Sequence, residues 1–213
     1  DPDNAHSVIY MWGTTGIGYN AAKVKERLGE DAPVDSWALV FDPQYSDKLK
    51  DCGISVLDAP SDLLPSALAY LGLDPLSGDP DDLRKAGDLL KGVRQNIRYF
   101  HSSQYISDLA NGETCVAIGY SGDVFIAAAR AEEAGTGAEI KYSVPKEGAL
   151  QWFDLMAIPK DAPNPEGALA WMNFIMEPQI TADITNYVWY ANANAASMPM
   201  VTISTSEGFT LLI

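Results

Sequence analysis

Short apolar runs alternate with helix-like stretches from residue 52 to residue 130, and no other feature constrains the fold as strongly. The runs are "CGISVLD", "IRYF" and "CVAIGY". Between them lie "SDLLPSALAYLG", "DPDDLRKAGDLLKGVRQN" and "SSQYISDLANG". Each run has strand length and each spacer has helix length, so the pattern predicts an α/β unit with a mainly parallel sheet.

The helix boundaries carry their own signals. Asn20 precedes "AAKVKERL" and Gly29 follows it, a cap at each end. Acids open the helix after Asp79, and Lys91 and Arg94 stand near its end, matching the helix dipole. "DPQYSDKLKDCG" reads as a short capped helix. Pro60 opens a helix whose first turn is limited by Pro65. "WGTTGIGYN" spaces its glycines GxxGxG and lacks the Lys-Ser/Thr of a P-loop, so it predicts a glycine-rich strand or hinge. After Gly135 come two strand-like runs in "AEIKYSVPKEGALQWFDLMAIPKDAP". Two helices follow, divided at Pro178, and the tail "MVTISTSEGFTLLI" is β-prone.

The chain has 29 acidic and 14 basic residues among 213, a net charge of −15. Such a surface is repelled by nucleic acid and by anionic membranes. It suits solubility or a cationic ligand. Cys52 and Cys115 each precede a strand-like run, and from the residues alone a bridge and two buried thiols are both open. With so few soft ligands, no metal is expected.

"GYSGD", residues 119–123, brings a serine close to the hydrolase pattern Gly-x-Ser-x-Gly. Gly122 comes one place early, and both histidines, His6 and His101, lie upstream of Ser121, against the order of that fold. His101 reads as a turn residue at a strand end. The residues beside the serine are more informative. Tyr120 and Asp123 stand where a strand gives way to a helix, the end at which open α/β sheets bind ligands. In "ALQWFDLMAIP" a strand puts Trp152 and Asp154 on one side and Phe153 on the other. An aromatic beside a carboxylate suits an alkylammonium: the ring attracts the cation and covers methylenes, and the carboxylate accepts its N–H donors. "YVWYANANAASMP" adds Tyr190 as a candidate aromatic wall, with Asn192 and Asn194 in turn positions.

Taken together, "YMWGTTGIGYN", "LGEDAPVDSW", "CGISVLDAP", "NIRYFHSSQYISDLANGETCVAIGYSGDV", "YSVPKEGALQWFD" and "YANANAASMP" resemble the periplasmic polyamine-binding proteins of bacterial ABC importers. The nearest branch is the putrescine binders and their spermidine-binding relatives. The resemblance covers Asp1 to about Pro199. It implies an α/β periplasmic solute-binding fold, two-lobed and hinged, with the N-terminal part of the first lobe missing from this sequence. On it, residues 1–9 are a hinge-proximal segment, 10–130 the second lobe, 131–195 a returning segment of the first lobe, and 196–213 an atypical tail.

The same resemblance implies polyamine contacts from Tyr120, Asp123, Trp152, Asp154 and Tyr190. It sets Ser61, followed by Asp62, where the family often has an acid, Tyr120 where it often has tryptophan, and Trp152 where putrescine binders often have phenylalanine. It further implies a Cys52–Cys115 disulfide, a periplasmic monomer without cofactor or enzymatic activity, and an ABC-transporter permease as partner. A serine hydrolase using Ser121 and a non-transporting polyamine sensor are the alternatives.

Overall fold

The glycines of "WGTTGIGYN" lie in an extended strand, β1 (Val8–Asn20). A side chain at Gly18 would meet Val124 at 2.6 Å, and one at Gly16 would meet the Tyr142 hydroxyl at 2.5 Å. Their place in the strand is therefore one of close packing. Asn20 ends the strand, accepts from the Lys23 amide at 3.1 Å, and starts α1 (Ala21–Leu28). Gly29, at φ 85°, closes that helix. A computed structural model describes Asp3 and residues 5–203; the end of the β-prone tail, residues 204–213, lies outside the described residues.

The chain divides into two compact units, Thr14–Leu150 and the pair of segments Asp1–Gly13 with Gln151–Ile213. The larger unit is the α/β one. Its strands after β1 are β2 (Ile54–Val56), β3 (Ile97–Phe100), β4 (Val116–Tyr120) and β5 (Ile140–Ser143), in the spatial order β3-β2-β4-β1-β5. β2 pairs parallel with β3 and β4, whereas β1 pairs antiparallel with β4 and β5. The expectation of a mainly parallel sheet thus holds for the four strands joined through helices. β1 runs against them, pairing antiparallel with β4 on one side and β5 on the other. Residues 131–150 lie in this unit, where β5 pairs with β1.

The predicted helices form at their capping signals. Asp42 accepts from the Gln44 amide at 2.8 Å and starts α3 (Pro43–Leu49). α4 (Pro60–Tyr70) begins at Pro60 and tolerates Pro65 inside it. α5 (Pro80–Val93), α6 (Gln104–Ala110) and α7 (Ser121–Glu133) complete the set. A helix that the sequence pattern did not signal, α2 (Ala38–Phe41), buries Leu39, Val40 and Phe41. Glu147 serves its start, accepting from the Ser36 hydroxyl and from the Trp37 amide. The core between sheet and helices includes Trp37, Phe41, Ile54, Leu68, Tyr105 and Ile118.

Cys52 and Cys115 form the disulfide, with Cα atoms 5.5 Å apart. They sit just before β2 and β4, which the parallel pairing brings side by side.

In the smaller unit, β6 (Gln151–Met156) pairs with β1. α8 (Pro165–Ile175) and α9 (Pro178–Val188) follow, divided at Pro178 as expected. α9 ends on Trp189 in the left-handed region, at φ 62°. The asparagines of "YANAN" hold the next turns: Asn192 donates to the Thr185 hydroxyl at 2.8 Å, and Asn194 donates to the Met176 carbonyl at 2.7 Å. Ala195–Met200, where the expected tail begins at residue 196, form a 3-10 turn started by the Asn194 side chain.

Candidate functional site

Strand direction decides which side chains meet in the α/β unit. β2 and β4 are parallel neighbours, so the chain leaves both at the same edge of the sheet, where such sheets bind ligands. The helix after each strand carries an acid in its first turn, Asp62 in α4 and Asp123 in α7. Tyr120 is the last residue of β4 and lies opposite Thr15 of β1. Burial pushes the Tyr120 hydroxyl above its ordinary pKa, and the charges of Asp62 and Asp123 push it further. One phenol therefore stands in the field of two carboxylates.

Hydroxyl groups orient both acids. Thr15 donates to Asp62 Oδ1 at 2.7 Å, and Ser61 donates to Asp62 Oδ2 at 3.1 Å. Tyr105 donates to Asp123 Oδ2 at 2.7 Å. Asp62 is 7% exposed and Thr15 fully buried, so the first of these bonds is made away from water, where it is worth most.

Ser121 begins α7 directly behind Tyr120 and is buried; its Oγ accepts from the Thr14 amide at 3.3 Å. His101 follows β3, and its Nδ1 accepts from the amides of Ser103 and Gln104 at 3.1 and 3.0 Å. That nitrogen holds the start of α6, in keeping with a turn role.

The smaller unit gathers a second group. Trp152 packs edge-on against Tyr190, ring centroids 5.3 Å apart, while Phe153 packs against Trp12 at 6.3 Å. Asp154 lies on the same strand as Trp152. Burial raises the Tyr10 hydroxyl's pKa, and the Asp154 charge adds to the rise, so Tyr10 belongs to this neighbourhood.

The candidates thus fall into two sets: Tyr120, Asp123 and Ser61 in the α/β unit, and Trp152, Asp154 and Tyr190 in the smaller one. The resemblance sets Ser61 where the family often has an acid, and the residue after it is Asp62, whose charge, with that of Asp123, raises the Tyr120 hydroxyl's pKa. Ser61 is a donor to Asp62. The signal available in the sequence was the helix register: an acid in the first turn after Pro60. Thr15, Tyr105 and Tyr10 carried no sequence signal, because only the folded chain brings them to the acids.

Comparison with known proteins follows this geometry. The sequence profile described as bacterial extracellular solute-binding protein matches residues 2–210. The chain is 57% identical over 201 residues to the putrescine-binding periplasmic protein SpuD of Pseudomonas aeruginosa (strain UCBPP-PA14), covering 94% of this chain and 55% of that protein. It is 53% identical over 208 residues to the putrescine-binding periplasmic protein PotF of Escherichia coli (strain K12), covering 97% of this chain and 56% of that protein. Among solved structures, the spermidine/putrescine ABC transporter substrate-binding protein PotD from Streptococcus pneumoniae superposes with a TM-score of 0.74 at 27% identity, covering 98% of this chain and 59% of that one. The chain therefore spans little more than half the length of these relatives.

Proposed function

The chain belongs to the bacterial extracellular solute-binding proteins, and from that membership we propose that it binds a polyamine in the periplasm for delivery to an ABC importer. Putrescine is the first choice and spermidine the second. The observation that carries this reading is the Tyr120 hydroxyl in the field of both Asp62 and Asp123. Two carboxylates beside an aromatic ring can take the N–H donors of an ammonium while the ring attracts its charge. Trp152 and Tyr190, with Asp154 on the Trp152 strand, offer the same combination for a second amine.

A neutral solute would desolvate these carboxylates without bringing a positive charge to them, which is costly. Charge pairing thus selects for a dication as well as binding it. The role is binding and not catalysis: Ser121 accepts a backbone hydrogen bond and His101 Nδ1 caps a helix. The reading includes a monomer, a transmembrane permease as the receiving partner, and two lobes that contain the two compact units.

Calorimetry of putrescine binding to the whole protein tests it. Asp123→Ala and Asp154→Ala are each expected to weaken binding by at least about 2 kcal/mol. Unchanged affinity in both variants would sink the assignment.

A further inference from the structure

We propose that Tyr105 is a positioning residue for ligand binding: its hydroxyl fixes the Asp123 carboxylate in the orientation that receives an ammonium. This rests on the polyamine reading above.

Tyr105 lies in α6, fifteen residues before the strand end it serves. Its side chain is completely buried. The ring occupies the space a side chain at position 119 would fill: a Cβ on Gly119 would stand 2.5 Å from the Tyr105 ring. The glycine of "AIGY" therefore admits the ring, and the ring brings its hydroxyl to the end of β4. There the oxygen meets both backbone and carboxylate. It accepts from the Tyr120 amide at 3.0 Å and donates to Asp123 Oδ2 at 2.7 Å.

These two bonds do different things. The first ties the hydroxyl to the backbone at the junction of β4 and α7, so the phenol oxygen cannot drift. The second transfers that fixed position to the carboxylate. A short carboxylate side chain on a helix's first turn has open χ angles, and a donor locked by backbone narrows them before any ligand arrives. Preorganisation of this kind raises affinity by removing an ordering cost from the binding step. Tyr105 reaches the ligand only through Asp123.

Substitution of the hydroxyl alone tests the inference in the whole protein. Tyr105→Phe keeps the ring in the Gly119 notch and removes both hydrogen bonds. It is expected to weaken putrescine binding about tenfold, the scale of one hydrogen bond to a charged group. In the Asp123→Asn background the same substitution is expected to cost less than about twofold, because the two residues act as one unit. Para-aminophenylalanine at 105, which restores a donor, is expected to recover most of the affinity. Should phenylalanine leave a destabilising hole, para-fluorophenylalanine fills the space without donating and takes its place.

Equal losses in the two backgrounds would mean that Tyr105 only supports the fold, and would overturn the proposal. So would wild-type affinity in Tyr105→Phe, or failure of para-aminophenylalanine to restore binding. If Asp123→Asn itself leaves putrescine binding unchanged, this proposal falls, and the polyamine reading falls with it when Asp154→Ala is also without effect; loss in Asp123→Asn without loss in Tyr105→Phe refutes this proposal alone.

Discussion

Ser61 and Asp62 are adjacent in sequence and unequal in consequence. Ser61 is exposed and donates to its neighbour, whereas Asp62 is buried and its charge reaches the Tyr120 hydroxyl. Removing the charge should therefore matter more than removing the donor. Asp62→Asn is expected to weaken putrescine binding by about 1–3 kcal/mol, and Ser61→Ala by less than about 1 kcal/mol. Calorimetry on the two variants checks the order, and the reverse order would return the role to Ser61. The resemblance points to Ser61 with Asp62 beside it, and helix geometry separates the two. Along an extended chain the position after "LDAP" is Ser61, but Pro60 starts a helix, and one step in a helix turns a side chain through about 100°. The aromatic–acid pairs were legible because their chemistry is local. Tyr105 was not, because its contact with Asp123 spans eighteen residues and depends on a glycine that looks like turn chemistry.

The elements of the α/β unit are tied at one end by the Cys52–Cys115 disulfide, which closes a separation of 63 residues. The loop holds β2, α4, α5, β3 and α6, so the bridge restricts much of the unfolded unit. Reduction, or Cys52→Ser with Cys115→Ser, is expected to lower unfolding free energy by about 2–5 kcal/mol. Urea titration of the oxidised and reduced forms measures it; coincident midpoints would show that the bridge adds no stability. At this scale most of the fold was readable in advance. Asn20, Asp42 and Pro60 start helices as their chemistry predicts, and Gly29 ends one. Strand direction was less readable. Alternation of strand and helix implies parallel neighbours, but β1, although α1 to α3 join it to β2, lies antiparallel to β4 and β5, and nothing in the alternation encodes that. α2 escaped notice because four apolar residues show no periodicity.

Across the whole chain the net charge is −15. A field of that sign attracts a polyamine before contact and is screened by salt. The association rate of putrescine is expected to fall at least about threefold between about 10 mM and 300 mM salt, with a smaller change in dissociation. Stopped-flow measurements at the two salt concentrations check this, and a rate independent of salt would show that long-range attraction plays no part. The hydroxyl donors around the acids bear on the same field. Thr15, Ser61 and Tyr105 orient Asp62 and Asp123 without bringing any charge of their own. A lysine or arginine in any of these places could also aim a carboxylate, but it would cancel the attraction it was aiming. Alcohols and a phenol decouple direction from charge: these three donors aim the two anions and leave their negative field undiminished.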